Sequence, residues 1–404
     1  MFKLDSLSPK TLAKRDTILI ILSLFQAIPF TFLVTPLQIL LLSHGASSHT
    51  IACSAIALAP YSLKFIWSPA IDKIIQHGYD YQRLMMIANS LIAALFVIMA
   101  QLIDHTHCVL VCCFIMAVAS ATNDEVMDAY SATAFTAELQ PKVISMRVLG
   151  YRLGMLATML VSWLAYNGSW SAVLTGLSLL ILLISLPVIG ALPTCRKRIH
   201  STKLDWLAPL KNVQANAPRG LMTLLTSRIG ELWIYAALTV YLIKYYHWSE
   251  NQVVWSLQFF GVIASIIGTR LASKYINISK IYESMRLLSI AFFLCCLLLL
   301  TTLILHQDAW IFLVIMFYEV IFGMKAVNCQ LLFYTCIDNT HPSYSCSLFN
   351  ALSTSPRLLF PPFIAIILQS NNWVLFFQVG IFFSLLSYMM TLPATTKYLH
   401  LTKK

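Results

Sequence analysis

TILIILSLFQAIPFTFLVTPLQILLL, residues 17–42, contains no charged side chain. A helix rises about 1.5 Å per residue, so a run this long crosses the roughly 30 Å hydrocarbon layer of a bilayer. Lys3, Lys10, Lys14 and Arg15 precede it, which gives a superficial likeness to a signal peptide. The run is too long for that and has no small-residue cleavage site, so it reads as an uncleaved first transmembrane helix. The rest of the chain repeats the pattern. Of the 404 residues 59% are apolar and 11% are charged, against roughly a quarter charged in a water-soluble domain. Mean hydropathy is +0.76. Most of the surface therefore needs a solvent other than water. In hydrocarbon each segment must satisfy its own backbone, which selects helices here.

Apolar runs predict twelve spans, at 17–43, 49–70, 83–103, 108–132, 143–166, 169–193, 218–243, 249–272, 284–305, 309–336, 343–369 and 372–394. Their connectors alternate in charge. Those near 44–48, 104–107, 167–168, 306–308 and 370–371 carry no Lys or Arg. Lys73, Arg83, Lys142, Arg196, Lys197, Arg198, Lys203, Lys211, Arg270, Lys274 and Lys280 fall between the opposite ends, and only Lys244 breaks the rule. The positive-inside rule then places both termini in the cytoplasm. The same distribution accounts for the net charge of +11 and argues against a nucleic-acid partner. The one long connector divides the chain into a six-helix half (1–193), a basic cytoplasmic linker (194–217) and a second six-helix half (218–404). Trp206 and its basic neighbours suit a short helix lying on the membrane surface. The expected fold is an all-α membrane protein with the layout of the major facilitator superfamily, whose substrate site lies between the halves.

Ten cysteines sit mostly inside apolar spans without metal-ligand spacing, and the ten histidines fall in connectors or near span ends. No metal, cofactor or catalytic histidine is expected, and a membrane-embedded transferase is disfavoured. The informative residues are charges inside spans, each costing about 2.5–3.5 kcal/mol at a helix centre. In SATNDEVMDAY (120–130), Asp124 and Asp128 share one helix face, while Glu125 points a quarter-turn away and reads as solvated at the cytoplasmic mouth. Counting depth pairs Asp124 with Arg152 and Asp128 with Arg147 across the fourth and fifth spans. Such carboxylates either carry a proton through a transport cycle or form permanent ion pairs that hold helices and close a gate. In SRIGELW (227–233), Arg228 and Glu231 lie three apart near the bilayer centre, and the tenth span adds Glu319 and Lys325. Arg152 and Arg357 occupy corresponding spans of the two halves, and paired guanidinium groups suit a carboxylate or phosphate on the solute.

Two stretches carry a family likeness: PYSLKFIWSPAID (60–72), and DEVMDAY (124–130) leading through to VLGYRLGML (148–156). Both resemble the AmpG family of muropeptide permeases, and SRIGELW and FYEVIFGM (317–324) fit that family's later helices. The resemblance implies a signature carried by Lys64, Phe65, Trp67, Pro69 and Asp72, with Asp72 as the gating aspartate beside Lys73. It matches the family's helix-4 aspartates to Asp124 and Asp128, and its Gly-Tyr-Arg to Gly150, Tyr151 and Arg152. The chain departs from the family pattern at Ser131–Thr133 and Ala157–Met159, and lacks the extra helix pair of some members.

The resemblance and the basic residues together predict a proton-coupled importer of an anionic amphiphile, an anhydro-muropeptide, acting as a monomer in a bacterial inner membrane. The alternative is a siderophore permease of the same family. Proton coupling is expected at Asp124, Asp128, Glu231 and Glu319. Substrate binding is expected at Tyr151, Arg152, Arg228, Lys325 and Arg357, and gating at Lys64, Asp72, Lys73 and Arg147.

Overall fold

The structure, a computed structural model, describes residues 9–34, 36–45, 54–192, 205–217, 219–305, 308–338, 340–370 and 372–392. It is helical among these residues, with no strand. Contacts divide the chain into two units. One comprises Met1–Thr136, Met146–Leu204 and Asn339–Ser347; the other comprises Ala137–Ser145, Asp205–Asp338 and Leu348–Lys404.

The first unit begins with α1 (Pro9–Val34) and α2 (Pro36–Ser43). The short α3 (Ala59–Leu63), a 3₁₀ turn (Lys64–Ile66) and α4 (Ser68–Gln76) follow. Then come α5 (Tyr81–Gln101), α6 (Thr106–Ala134), α7 (Gln140–Asn167), α8 (Trp170–Leu180) and α9 (Leu186–Gly190). Helix α5 packs on α6 and α8, and α1 packs on α6. Phe25, Ile28, Phe32, Phe96, Met116 and Leu174 fill the space between them, with Phe32 and Phe96 edge to face at 5.4 Å. A π-helical turn at Ile181–Ser185 separates α8 from α9, just before Pro187, which has no N–H to donate.

The second unit contains α10 (Ala208–Asn216), α11 (Leu221–Thr226), α12 (Ile229–Lys244) and α13 (Glu250–Val253). A π-helical stretch (Val254–Gly261) leads into α14 (Val262–Tyr275). The chain continues through α15 (Ile281–Ile304), α16 (Asp308–Thr335), α17 (Pro342–Thr354, whose residues up to Ser347 belong to the first unit), α18 (Pro356–Gln369) and α19 (Trp373–Met390). Trp233 stacks on Phe376 and donates its indole N–H to that residue's carbonyl at 2.9 Å, within a core that includes Tyr241, Phe292, Tyr318 and Phe377. Within the linker Ala208–Asn216 form α10, with Trp206 just before it, whereas residues 194–204 of the linker lie outside the described part.

Among the described residues nine helices are long and apolar enough to cross a membrane. The second, seventh and eleventh predicted spans differ from the expected continuous helices: each is broken. The second is interrupted between Pro60 and Pro69 by the 3₁₀ turn at Lys64–Ile66. The seventh breaks at Ser227–Arg228, where Arg228 has φ −117° and ψ 0°. The eleventh breaks at Ser355, because Pro356 restricts the residue before it and removes a donor. A basic residue sits at or within two residues of each break: Lys64, Arg228 and Arg357. Large apolar side chains such as Leu183, Leu287 and Ile366 are exposed, as a hydrocarbon solvent allows.

Helices α14 and α16 approach closely through glycine. A Cβ on Gly268 would lie 2.0 Å from the Val320 carbonyl oxygen, and one on Gly323 would lie 2.2 Å from that of Ser265. Small residues give membrane helices this proximity, and backbone atoms cannot step aside as a side chain can. Gly268→Ala is therefore expected to cost about 1–3 kcal/mol, read as a lower unfolding midpoint of the detergent-solubilised protein. Gly176→Ala is the control, since nothing lies within 4 Å of its added methyl. Equal midpoints for the two variants would show that the helices yield.

Candidate functional site

In the first unit the broken second span delivers Lys64 to the polar stretch of α6. Trp67 donates its indole N–H to Thr122 Oγ1 at 3.1 Å, tying the 3₁₀ turn to α6 one residue before the asparagine that precedes the acids. The Lys64 ammonium donates to Asp124 Oδ2 and lies 3.6 Å from Glu125 Oε2. Gln26 of α1 donates its amide to the other oxygen of Asp124. Arg147 of α7 donates to Asp128 Oδ1 at 2.5 Å. Lys64 is buried at 3% exposure, whereas the Asp124 side chain keeps 25%.

The expected Asp128–Arg147 pair is thus present. The described donors to Asp124 are Lys64 and Gln26, while the Arg152 guanidinium reaches Met155 Sδ at 3.5 Å. Tyr151 lies near Phe30, with ring centroids 6.3 Å apart, and Phe30 meets Tyr61 edge to face at 4.8 Å. The expectation for Glu125 is overturned. Its side chain is fully buried, because the quarter-turn that separates it from Asp124 aims it into packed protein rather than toward a wet mouth. Neither of its oxygens accepts a hydrogen bond.

Asp72 on α4 is buried, and its two carboxylate oxygens accept the backbone N–H groups of Ser343 and Tyr344 at 2.9 Å each. Those groups open α17, where helix geometry leaves the first N–H groups without an intrahelical acceptor. Ser68 and Ser347 exchange a hydroxyl hydrogen bond at 2.7 Å beside this contact. Lys73 is exposed. Asp72→Ala removes a carboxylate from a helix N-terminus and is expected to cost about 1–2 kcal/mol of stability. Asp72→Asn, which keeps one acceptor oxygen, is expected to retain roughly half of that. Unchanged unfolding midpoints in both variants would exclude this capping role.

The second unit holds the other charges. Ser227 turns its hydroxyl back onto the Leu224 carbonyl at 2.9 Å where α11 ends. Arg228, at the break, places Nε 2.5 Å from Glu231 Oε1 in the first turn of α12. Lys325 of α16 places its ammonium 3.9 Å from the other oxygen of Glu231 and 5.0 Å from the centroid of the Phe292 ring. Tyr318 donates its hydroxyl to the Glu231 carbonyl oxygen at 3.1 Å. A small cavity beside this group is lined by Ser227, Ser289, Lys325, Asn328 and Cys329. Two cations thus converge on one buried carboxylate. Glu319 is buried on α16 opposite Gly261, where a Cβ would come within 3.2 Å of its side chain. The backbone of Arg357 lies in α18; its side chain lies outside the described residues.

Sequence reasoning overlooked two polar contributors. Gln26 completes the Asp124 site, and Asn89 donates to Asn123 Oδ1 at 3.2 Å while accepting from Ser185 at 3.3 Å. An amide in the middle of an otherwise apolar span was the available signal for each. Among the described residues no cluster of His, Cys, Asp and Glu is placed to hold a metal ion.

The sequence model of the Major Facilitator Superfamily matches residues 19–361. The chain belongs to the Major Facilitator Superfamily. With nine membrane-length helices among the described residues, it is a multi-pass membrane protein of that superfamily. Within the superfamily it is 23% identical over 266 residues to the anhydromuropeptide permease of Escherichia coli K12, a match covering 63% of this chain. The matched stretch spans about half of that relative, 54% of its length. A Rickettsia felis transporter named AmpG 4 is 20% identical over 61% of this chain and 64% of its own. Among solved structures, the human organic anion transporter MFSD10 superimposes with a TM-score of 0.76 at 14% identity, covering 96% of this chain and all of that one. The proton:xylose symporter XylE superimposes at 0.68 and 14% identity, with 95% and 94% covered. At such identities these two likenesses establish the superfamily fold.

Proposed function

We propose that the protein is a secondary active transporter that imports an anionic amphiphilic solute together with protons by alternating access. We take the solute to be an anhydromuropeptide and the location to be a bacterial inner membrane. The observation that carries this reading is the buried cluster of Lys64, Asp124 and Glu125, in which two carboxylates converge on one ammonium. It is built from the two motifs that resemble AmpG permeases, and the E. coli relative is named for anhydromuropeptides.

In this reading Asp124 exchanges protons with solvent through its partly exposed edge, and its ionisation governs the grip of Lys64. Asp128 takes part only when its pair with Arg147 opens. Glu231 and Glu319 are the corresponding acids of the second unit. Arg228 and Lys325 together outweigh Glu231 by one positive charge, which suits a carboxylate on the solute. Arg152 and Arg357 add guanidinium groups for further carboxylates, and Tyr151 offers a ring and a hydroxyl to the sugar portion. Lys64, Asp72, Lys73 and Arg147 gate the pathway. Asp72 does so through its hold on the start of α17, which is released when the carboxylate is displaced.

The test is uptake of radiolabelled N-acetylglucosaminyl-anhydro-N-acetylmuramyl tripeptide by purified protein in liposomes, challenged with unlabelled muropeptide or with ferric siderophores. Saturable uptake blocked by muropeptide alone is expected. Uptake of the siderophores in its place would keep the transporter and reassign its cargo.

A further inference from the structure

We propose that Glu125 is a proton-binding site, occupied while Lys64 is paired with Asp124. Four carboxylates lie in this part of the first unit, and three have a partner of their own. Asp72 is held by two backbone N–H groups, Asp128 by Arg147, and Asp124 by Lys64 with Gln26. Glu125 has none: its side chain is fully buried, neither oxygen accepts a hydrogen bond, and Lys64 stands off at 3.6 Å. The groups facing it are Lys64, Asp72, Asp124, Asp128 and the Cys346 thiol of α17. Among the described residues the cations of this cluster are Lys64, whose charge is already spent on Asp124, and Arg147, whose charge is spent on Asp128. An ionised carboxylate in such a place is among the costliest arrangements a protein can hold, and a bound proton removes the cost.

The geometry also supplies the exchange. When the carboxylic acid of Glu125 releases its proton, by way of the partly exposed Asp124 carboxylate to solvent, the carboxylate formed competes for Lys64, whose ammonium needs to move only about an ångström to make contact. Asp124 then loses its cation. When a proton returns to Glu125, Lys64 goes back to Asp124. Net charge in the cluster changes by one at each step, and each proton lost or gained moves one ammonium between neighbouring acids. Asp124, partly exposed, is the member that senses the aqueous side, and Glu125 is the member that stores the proton. Occupancy of Glu125 by a proton stands on the charge balance alone; its part in coupling rests on the symport reading above.

The decisive observation is the infrared carbonyl-stretch band of a protonated carboxylic acid in the purified protein at neutral pH. The band is expected in the wild type, lost in Glu125→Gln, and moved in frequency in Glu125→Asp. The aspartate variant serves if the glutamine variant does not fold. Asp124→Asn is expected to weaken the band as well, since Lys64 then falls to Glu125 and displaces the proton. A wild-type spectrum without the band, or a band indifferent to both Glu125 substitutions, overturns the proposal. Proton uptake on adding muropeptide to liposomes, read separately with a pH electrode, decides the symport reading. A Glu125 band without such uptake would leave the proton site standing and remove its role in transport.

Discussion

Lys64→Met is expected to abolish transport and to destabilise the protein more than any other single substitution of a charged residue in the first unit. The variant leaves Asp124 with only Gln26, and Glu125 with nothing within reach. Breaking a buried ion pair by removing one partner costs about 3–5 kcal/mol, because the remaining charge stays uncompensated. At equal protein content uptake is expected to fall to background, because no ammonium remains to follow the ionisation of Asp124. The double variant Lys64→Met with Asp124→Asn is expected to recover most of the unfolding midpoint and none of the transport, since neutral groups no longer need the cation. Uptake near the wild-type level in Lys64→Met, at equal protein content, would mean that the cluster is packing and nothing more.

Asp124→Asn has the second largest expected effect, and it is selective. Proton-driven accumulation is expected to disappear while exchange of labelled for unlabelled solute across the membrane continues. The asparagine keeps the shape and one acceptor, so Gln26 retains its contact, but Lys64 now has only Glu125 to pair with. The cluster is left in one state and cannot release and rebind a proton, whereas binding and reorientation remain. Exchange measured in liposomes without a gradient separates the two. Loss of exchange in parallel with accumulation, in protein that elutes as a single folded species, would assign Asp124 a structural role.

The architecture was legible because the signals for it are long and repetitive. Apolar runs of membrane length marked the spans, and residues 17–42 alone exclude water as the main solvent. The three broken spans were less legible. Proline marked the breaks near Lys64 and Arg357, but tolerance of proline in membrane helices hides whether a given one kinks or interrupts. At Ser227–Arg228 no proline marks the break at all. In the site, helical spacing placed Asp128 opposite Arg147 correctly, since both lie on regular helices whose depth can be counted. The same count could not supply Lys64 as the partner of Asp124, because Lys64 stands on an irregular turn whose direction depends on tertiary contacts such as Trp67 with Thr122. Glu125 was misplaced for a related reason. Its position on the helix wheel was read correctly as different from that of Asp124, but which side of α6 is packed is decided by neighbours distant in sequence.

Accumulation of labelled anhydromuropeptide by liposomes containing the purified protein, with and without an imposed inward proton gradient, is the most direct test of proton-driven import. For one proton per solute, each pH unit of gradient stores about 1.4 kcal/mol and supports roughly tenfold accumulation. Accumulation that rises with the gradient and collapses on adding a protonophore is predicted. Uptake that stops at equal concentrations inside and out, whatever the gradient, would contradict it.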